Sequence, residues 1–429
     1  MKLAVAGTGY VGLVAGVCFA EKGHMVTCVD VDEQKIALMR SGVSPIYEAG
    51  LEELLKRNIA AGRLFFTSDY TSAYSDADAV FIGVGTPEKP DGSANLSYIA
   101  TVCREIAQSV TRDCLVVVKS TVPVGTNDKV EQFIKDNLAR DVKIRVASNP
   151  EFLAQGNAVH DTMHATRIII GTEDEVAEKM LQEIYAPFDL PIVSVSRRSA
   201  EMIKYACNNF LALKISYMND IANLCELVGA NIDDVAEGMR YDPRIGAKFL
   251  KAGVGYGGSC FPKDTKALTY LARQHGATLK TVDAAVEINA AQKTRLFEKA
   301  KKRLMTFENV KVAVLGLAFK PGTDDLREAP SLDNIRLLLE HGAEITCYDP
   351  IAAENFAKRY PDVKLANSVE ETLEGAFCCF IFTEWEEFVR LTPEVFRRKM
   401  RVPLVYDGRN IFDPEYMKKG GVEYYSIGR

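Results

Sequence analysis

Apolar residues come in short continuous runs through the first part of the chain, separated by stretches with helical spacing. "KLAVAG", "MVTCVDVD", "DAVFIGVGTP", "CLVVVKSTVPVG", "IRVASNPEF" and "TRIIIGT" each read as a strand buried on both faces. Such runs alternating with helices predict an α/β fold with a doubly wound parallel sheet. From Ser199 the texture changes. "SAEMIKYACNNFLALKISYMNDIANLCELVG" has no glycine or proline before Gly229 and keeps apolar residues at helical spacing, which predicts one long helix. A helix of that length serves as a spine between domains or as a dimer surface.

A second α/β segment starts at "VKVAVLGLAFKPG" and echoes the first: "KLAVAG" pairs with "KVAVLG", and "KGHMVTCVDVD" with "HGAEITCYDP". Both read as strand, glycine turn, helix and a strand ending in an aspartate, Asp30 and Asp349. The expected organisation is therefore two Rossmann-like domains, 1–198 and 306–429, joined by a helical middle over 199–305.

Composition narrows the function. With 429 residues, the chain exceeds what one core usually serves. A hydrophobic fraction of 47%, a charged fraction of 26% and a net charge of -6 suit a soluble protein and speak against nucleic-acid binding. No apolar run reaches the length of a membrane span. The apolar start is read as a strand–turn–helix and not as a signal peptide. Ten cysteines without a CxxC pair fit reduced thiols and a cytoplasmic location. Five histidines without ligand spacing predict no metal.

"GTGYVG" places Gly7, Gly9 and Gly12 between a strand and a helix, where they permit a tight turn, a pyrophosphate approach and close helix packing. Asp30, ending the second strand, suits the ribose hydroxyls and repels a 2′-phosphate, which favours NAD over NADP. Lys35 is either a contact to the adenosine end or an exposed helix lysine.

In "GVGYGGSCFPKD", Ser259 or a neighbour caps a helix whose first turn holds Pro262, so Cys260 sits at a helix start that favours thiolate. The surrounding glycines are expected to let a substrate lie against backbone beside the sulfur. Cys260 is then either a nucleophile or a small buried hydrophobe. Asp264 lies one helical turn on. Lys204 and Asn208 share a helix face, as a site or as a solvated stripe. Glu151 and Thr121 end strands at the edge where open sheets bind ligands.

Together these segments resemble the UDP-glucose and GDP-mannose dehydrogenase family of NAD-dependent four-electron oxidoreductases. "GTGYVG", "GVGTP", "STVPVG", "NPEF", "RIGAKFLKAGVGYGGSCFPKD", "GLAFKPGTDDLREAPS" and "YDGRN" fall in family order almost end to end, and the block around Cys260 is most like the UDP-glucose members. The resemblance implies Cys260 as nucleophile, with Lys204, Asn208 and Asp264 polarising or positioning the reacting oxygen and a water. Glu151 would assist hydrolysis, and Thr121 would contact water or cofactor. It implies NAD contacts at Gly7, Gly9, Tyr10, Val11, Gly12, Asp30, Lys35, Gly85, Thr86, Thr121, Gln155, Lys263 and Arg327. The UDP-glucose contacts it implies run over Glu151, Phe152, Leu153, Ala154 and Gln155, then Lys204 and Asn208. They continue over Arg244, Phe249, Leu250, Lys251, Ala252, Gly253, Tyr256 and Gly257, and end with Phe319, Lys320 and Arg409. Arg244 and Arg409 would meet phosphate. Where relatives carry a second glutamate this chain has Gln155, which cannot accept a proton at neutral pH. A homodimer through the long helix is expected, with no nucleic-acid or membrane partner. The alternatives are the same chemistry on GDP-mannose or UDP-N-acetylmannosamine, or a two-electron β-hydroxyacid dehydrogenase.

Overall fold

The computed structural model describes residues 1–429. The chain divides into two compact units: Met1–Cys207 with Lys266–Gln274, and Asn208–Thr265 with His275–Arg429.

Unit 1 holds an eight-stranded sheet of β1 (Lys2–Ala6), β2 (Met25–Val29), β3 (Leu64–Thr67), β4 (Ala79–Ile82), β5 (Cys114–Val118), β6 (Ile144–Ser148), β7 (Ile168–Gly171) and β8 (Ile192–Val195). Their order is β3-β2-β1-β4-β5-β6-β7-β8. The six apolar runs named above all form strands; β3 and β8, at the two edges of the sheet and only partly buried, were not foreseen. Pairing is parallel except between β6 and β7, which meet antiparallel at Ser148 and Gly171. β4 and β5 are buried at every position, which is why they read as unbroken apolar runs without alternation. The order reverses between β1 and β4, so the crevice at their carboxyl ends is the place where such sheets bind ligands.

Unit 2 holds a second sheet of β9 (Lys311–Leu315), β10 (Glu344–Tyr348), β11 (Lys364–Leu365), β12 (Cys378–Ile381), β13 (Leu404–Asp407) and β14 (Glu423–Tyr425), in the order β11-β10-β9-β12-β13-β14. All its pairings are parallel. The echo between the two sheets is structural as well as textual, but the two strand-end acids are used differently. Asp349 accepts backbone hydrogens from Leu317, Ala318, Ile351 and Ala352 and one from the Trp385 indole, so its own chain fills it.

The long helix spans Arg197–Val228. Residues 199–305 contain no strand: besides the long helix they form Ile232–Arg240, Phe261–Gln274, Lys280–Lys293 and Arg295–Arg303. No helix is long and apolar enough to cross a membrane. None of the ten cysteines is joined in a disulfide.

Candidate functional site

In unit 1, every implicated loop leaves the carboxyl end of a strand. Gly7 follows β1 with φ +90°, a value only glycine adopts without strain. A Cβ on Gly12 would fall 1.9 Å from the Gly7 carbonyl oxygen, so the helix Tyr10–Glu21 starts tight against the turn because this residue has no side chain. Gly9 differs, because a Cβ there would meet nothing within 4 Å. The first and third glycines of the fingerprint thus serve the fold, while the second leaves open space in front of a helix N-terminus. That arrangement suits a pyrophosphate. Tyr10 and Val11 are half-buried in the first turn, and the Tyr10 hydroxyl donates to the Tyr47 carbonyl.

Asp30 Oδ2 accepts from the Thr8 backbone (2.9 Å) and hydroxyl (2.5 Å), and Oδ1 from Asp32 N (3.1 Å). Partial burial works to raise its pKa, but these bonds outweigh it and hold the carboxyl below its ordinary value. Half-buried and ionised, Asp30 is oriented by its own turn with acceptor capacity left for ribose hydroxyls. The residues present therefore fit NAD. Lys35 is exposed, and its backbone N–H is used to cap the next helix on Asp32. Gly85 is exposed after β4, and beside it the Thr86 hydroxyl donates to the Thr121 carbonyl, which joins two of the expected cofactor contacts.

Behind this edge lies a buried ion pair. Lys204 Nζ stands 2.9 Å from Glu151 Oε1, with both side chains almost fully buried, and Glu151 Oε2 accepts from Leu153 N. Burial pushes the Glu151 carboxyl up, yet Lys204, the Leu153 bond and Lys119 bring it below the ordinary range. The Phe152 ring is overlain by Lys204 and by Arg167, whose guanidinium carbon is 4.3 Å from its centroid. Lys204 is thereby removed from the solvated-stripe reading. Its helix turn is fastened by Glu201, which accepts from Gly125 N, Asn127 N and the Asn127 amide at the start of the helix Thr126–Asn137. Ala154 N donates to Asp161, and Gln155 is buried in the same loop.

Unit 2 carries the thiol. The helix Phe261–Gln274 begins immediately after Cys260, whose carbonyl accepts the first helical bond from Asp264 N (2.9 Å). Cys260 is exposed, which excludes the buried-hydrophobe reading. Asp264, one turn on, is 1% exposed. Its Oδ2 accepts from the Asn208 amide at 2.7 Å, and its Oδ1 meets Lys263 Nζ at 2.5 Å.

The glycines before Cys260 are packed closely by neighbouring segments of unit 2. A Cβ on Gly253 would lie 2.7 Å from Gly408 O, on Gly255 2.6 Å from Asn289 Oδ1, on Gly257 2.3 Å from Glu328 O, and on Gly258 2.8 Å from the Phe319 ring. The chain's own atoms occupy the space a side chain would take at these four positions, so close packing requires glycine there. The loop is clamped further by Asn219 on Gly253 N, by Gln292 on Gly253 O and by Asn289 on both backbone groups of Tyr256. Leu250 and Ala252 are packed in the core of unit 2, whereas Lys251 is exposed. Phe249 adopts φ +65° and stays exposed, its ring 6.3 Å from that of Phe261.

Of the expected phosphate and cofactor cations, Arg244 is exposed and paired to Asp242, and Arg327 is paired to Asp325. Arg409 donates to the carbonyls of Phe319 and Phe382, so it ties the turn after β13 to the turn after β9. Lys320 Nζ lies 5.7 Å from the centre of the Phe319 ring.

Sequence reasoning missed Lys119, Asn149, Tyr185 and Glu201. A signal was available for Lys119, since a lysine directly after an all-apolar strand is rarely buried without a task.

Three family models cover the chain in order: the NAD binding domain of the UDP-glucose/GDP-mannose dehydrogenase family matches residues 1–189, its central domain 198–291 and its UDP binding domain 313–414. The chain is 49% identical over 430 residues to the UDP-glucose 6-dehydrogenase YwqF of Bacillus subtilis (strain 168), covering 100% of this chain and 98% of that one. It is 46% identical over 442 residues to the UDP-glucose 6-dehydrogenase of Pseudomonas aeruginosa, with 100% and 98% covered. A solved UDP-glucose dehydrogenase from Pyrobaculum islandicum superposes with a TM-score of 0.92 at 39% identity, over 99% of this chain and 96% of that one.

Proposed function

Because the chain belongs to the UDP-glucose/GDP-mannose dehydrogenase family and is an NAD-dependent oxidoreductase, we propose that it oxidises the C6 alcohol of UDP-glucose to the carboxylate of UDP-glucuronate, with two NAD reduced per sugar. The observation that carries the covalent part is Cys260 exposed at a helix start, one turn from a buried Asp264 held by Asn208.

NAD, when bound, accepts a hydride at each of two steps. In the first, Lys204 stabilises the oxyanion developing on the substrate, and Asp264 with Asn208 orients a water that takes up the alcohol proton. The Cys260 thiolate then adds to the aldehyde carbon, and the oxygen takes a proton to give a thiohemiacetal that keeps the hydrogen needed for the second transfer. Loss of that hydride and of the hydroxyl proton leaves a thioester. A water assisted by Glu151 attacks it, the C–S bond breaks, and the acid and the thiol are released. Thr121 is a further water or cofactor contact, and Gln155 serves as a hydrogen-bonding contact only. Phe249–Gly253, Tyr256, Gly257, Lys320 and Arg409 are proposed to hold the nucleotide sugar; Lys320 and Arg409 lie within the UDP binding domain match over 313–414.

A homodimer through the long helix is part of the reading. Phe210, Tyr217 and Leu224 recur every seven residues along it and are all exposed, with Leu227 and Val228 beyond them, a stripe suited to a second copy.

The test is NADH release with UDP-glucose, UDP-galactose, UDP-N-acetylmannosamine and GDP-mannose. Two NADH per UDP-glucose, with the other sugars poor, is the expected result. A ratio of one would indicate a simple alcohol dehydrogenase, and preference for another sugar would reassign the substrate.

A further inference from the structure

Lys119 follows β5 directly and is buried, yet its Nζ rests on neutral groups: Asn149 Oδ1 at 3.0 Å and Tyr185 Oη at 3.3 Å. Asn149 is fixed from every side. Its N–H donates to Val118 O, its amide to Ile169 O, and its Oδ1 also takes the Tyr185 hydroxyl. Two residues later the chain reaches Glu151. A buried ammonium on neutral partners is costly, and proteins keep such a charge where it acts on another group.

The titratable groups whose charge acts on Lys119 are Glu151 on the loop after β6, Lys204 on the long helix and Cys18 on the helix Tyr10–Glu21, while the Tyr185 hydroxyl is in contact. Burial pulls its pKa down to about 8, against the opposing pull of Glu151. Lys204 is the nearer cation to Glu151, but the reaction directs it to the substrate oxygen. Lys119, walled in by Asn149 and Tyr185, has no such competing duty.

We propose that Lys119 is a positioning residue for the hydrolytic step, a second cation that keeps Glu151 ionised and its loop aligned through Asn149 while Lys204 engages the substrate. This rests on the role given to Glu151 above.

The experiment measures kcat for acid formation against pH in wild type, E151Q, K119Q, K119M and K119R, with melting temperature and NAD affinity as controls. K119Q keeps hydrogen-bond donors and removes the charge. Its acid limb is expected to move to higher pH, because loss of a nearby cation raises the pH at which Glu151 takes up a proton. K119R, which keeps the charge, is expected to leave the limb where wild type has it. An unmoved limb in K119Q, or a kcat lowered equally at every pH, overturns the proposal in favour of a structural lysine, as does failure of both K119Q and K119M to fold. If E151Q itself turns over like wild type, the role of Glu151 is what fails and the proposal goes with it. If E151Q is inactive and the K119Q limb stays in place, the proposal fails alone.

Discussion

The Asn208 amide donates to Asp264 Oδ2 across 2.7 Å, in a setting where Asp264 is almost wholly removed from solvent. Lys263 takes the other carboxylate oxygen. The carboxylate is thus held and aimed by neighbours on both sides, as expected of a group that handles a proton or orients a water. Asp264→Asn preserves shape and removes the charge. Turnover is expected to fall about 10²–10⁴-fold, the usual weight of positioned acid–base help, with NAD affinity unchanged. Steady-state kinetics beside a fluorescence titration of NAD decides this; a D264N enzyme within a few-fold of wild type would remove Asp264 from the chemistry.

Cys260→Ala should nearly abolish acid formation while nucleotide and NAD binding survive, since the side chain is exposed and its loss leaves no hole in a core. Product analysis is the readout, and acid yield close to wild type refutes a thioester route.

Lys204→Ala leaves Glu151 buried without its nearest cation, a change that typically costs about 3–5 kcal/mol. The pH dependence has a definite sign. Glu151 is held below its ordinary pKa in the folded chain, so its contribution is fully present above the unfolded carboxylate value of about 4.3 and is lost as pH falls through the lower folded value. Urea denaturation from neutral pH downward should therefore show the stability gap between wild type and E151Q narrowing on acidification.

Gly9→Ala and Gly12→Ala separate binding from folding within one motif. Gly9 has an extended backbone (φ -74°) and open space around it, so alanine should change stability by no more than about 0.5 kcal/mol while weakening NAD about tenfold or more. At position 12 the added methyl meets a carbonyl oxygen at 1.9 Å, and the variant should melt well below wild type. Thermal unfolding and NAD titration of both proteins check the pair; equal effects on both readouts would contradict the division of labour.

The sheets were legible because their central strands are buried on both faces and appear as unbroken apolar runs. The long helix was legible because nothing interrupts it. β3 and β8 escaped because strands at the edges mix polar with apolar residues. The fingerprint could be read down to Asp30, since those positions answer to backbone geometry. The packing around the glycines before Cys260 was not legible, because a missing side chain reports that something is close and the sequence does not say that it is Phe319, Glu328 and Asn289. Lys119 and Glu201 went unseen because their significance lies in partners dozens of residues away, which periodicity does not register.

The saturation of Asp349 by five donors from its own chain has a consequence for stoichiometry. Two sheets of the same winding would suggest room for two dinucleotides. Here one strand-end acid has acceptor capacity to spare and the other has been turned into an internal clasp. Calorimetric titration with NAD should accordingly saturate at about one equivalent per chain, which leaves the second sheet to a ligand that does not ask for a ribose-binding carboxylate.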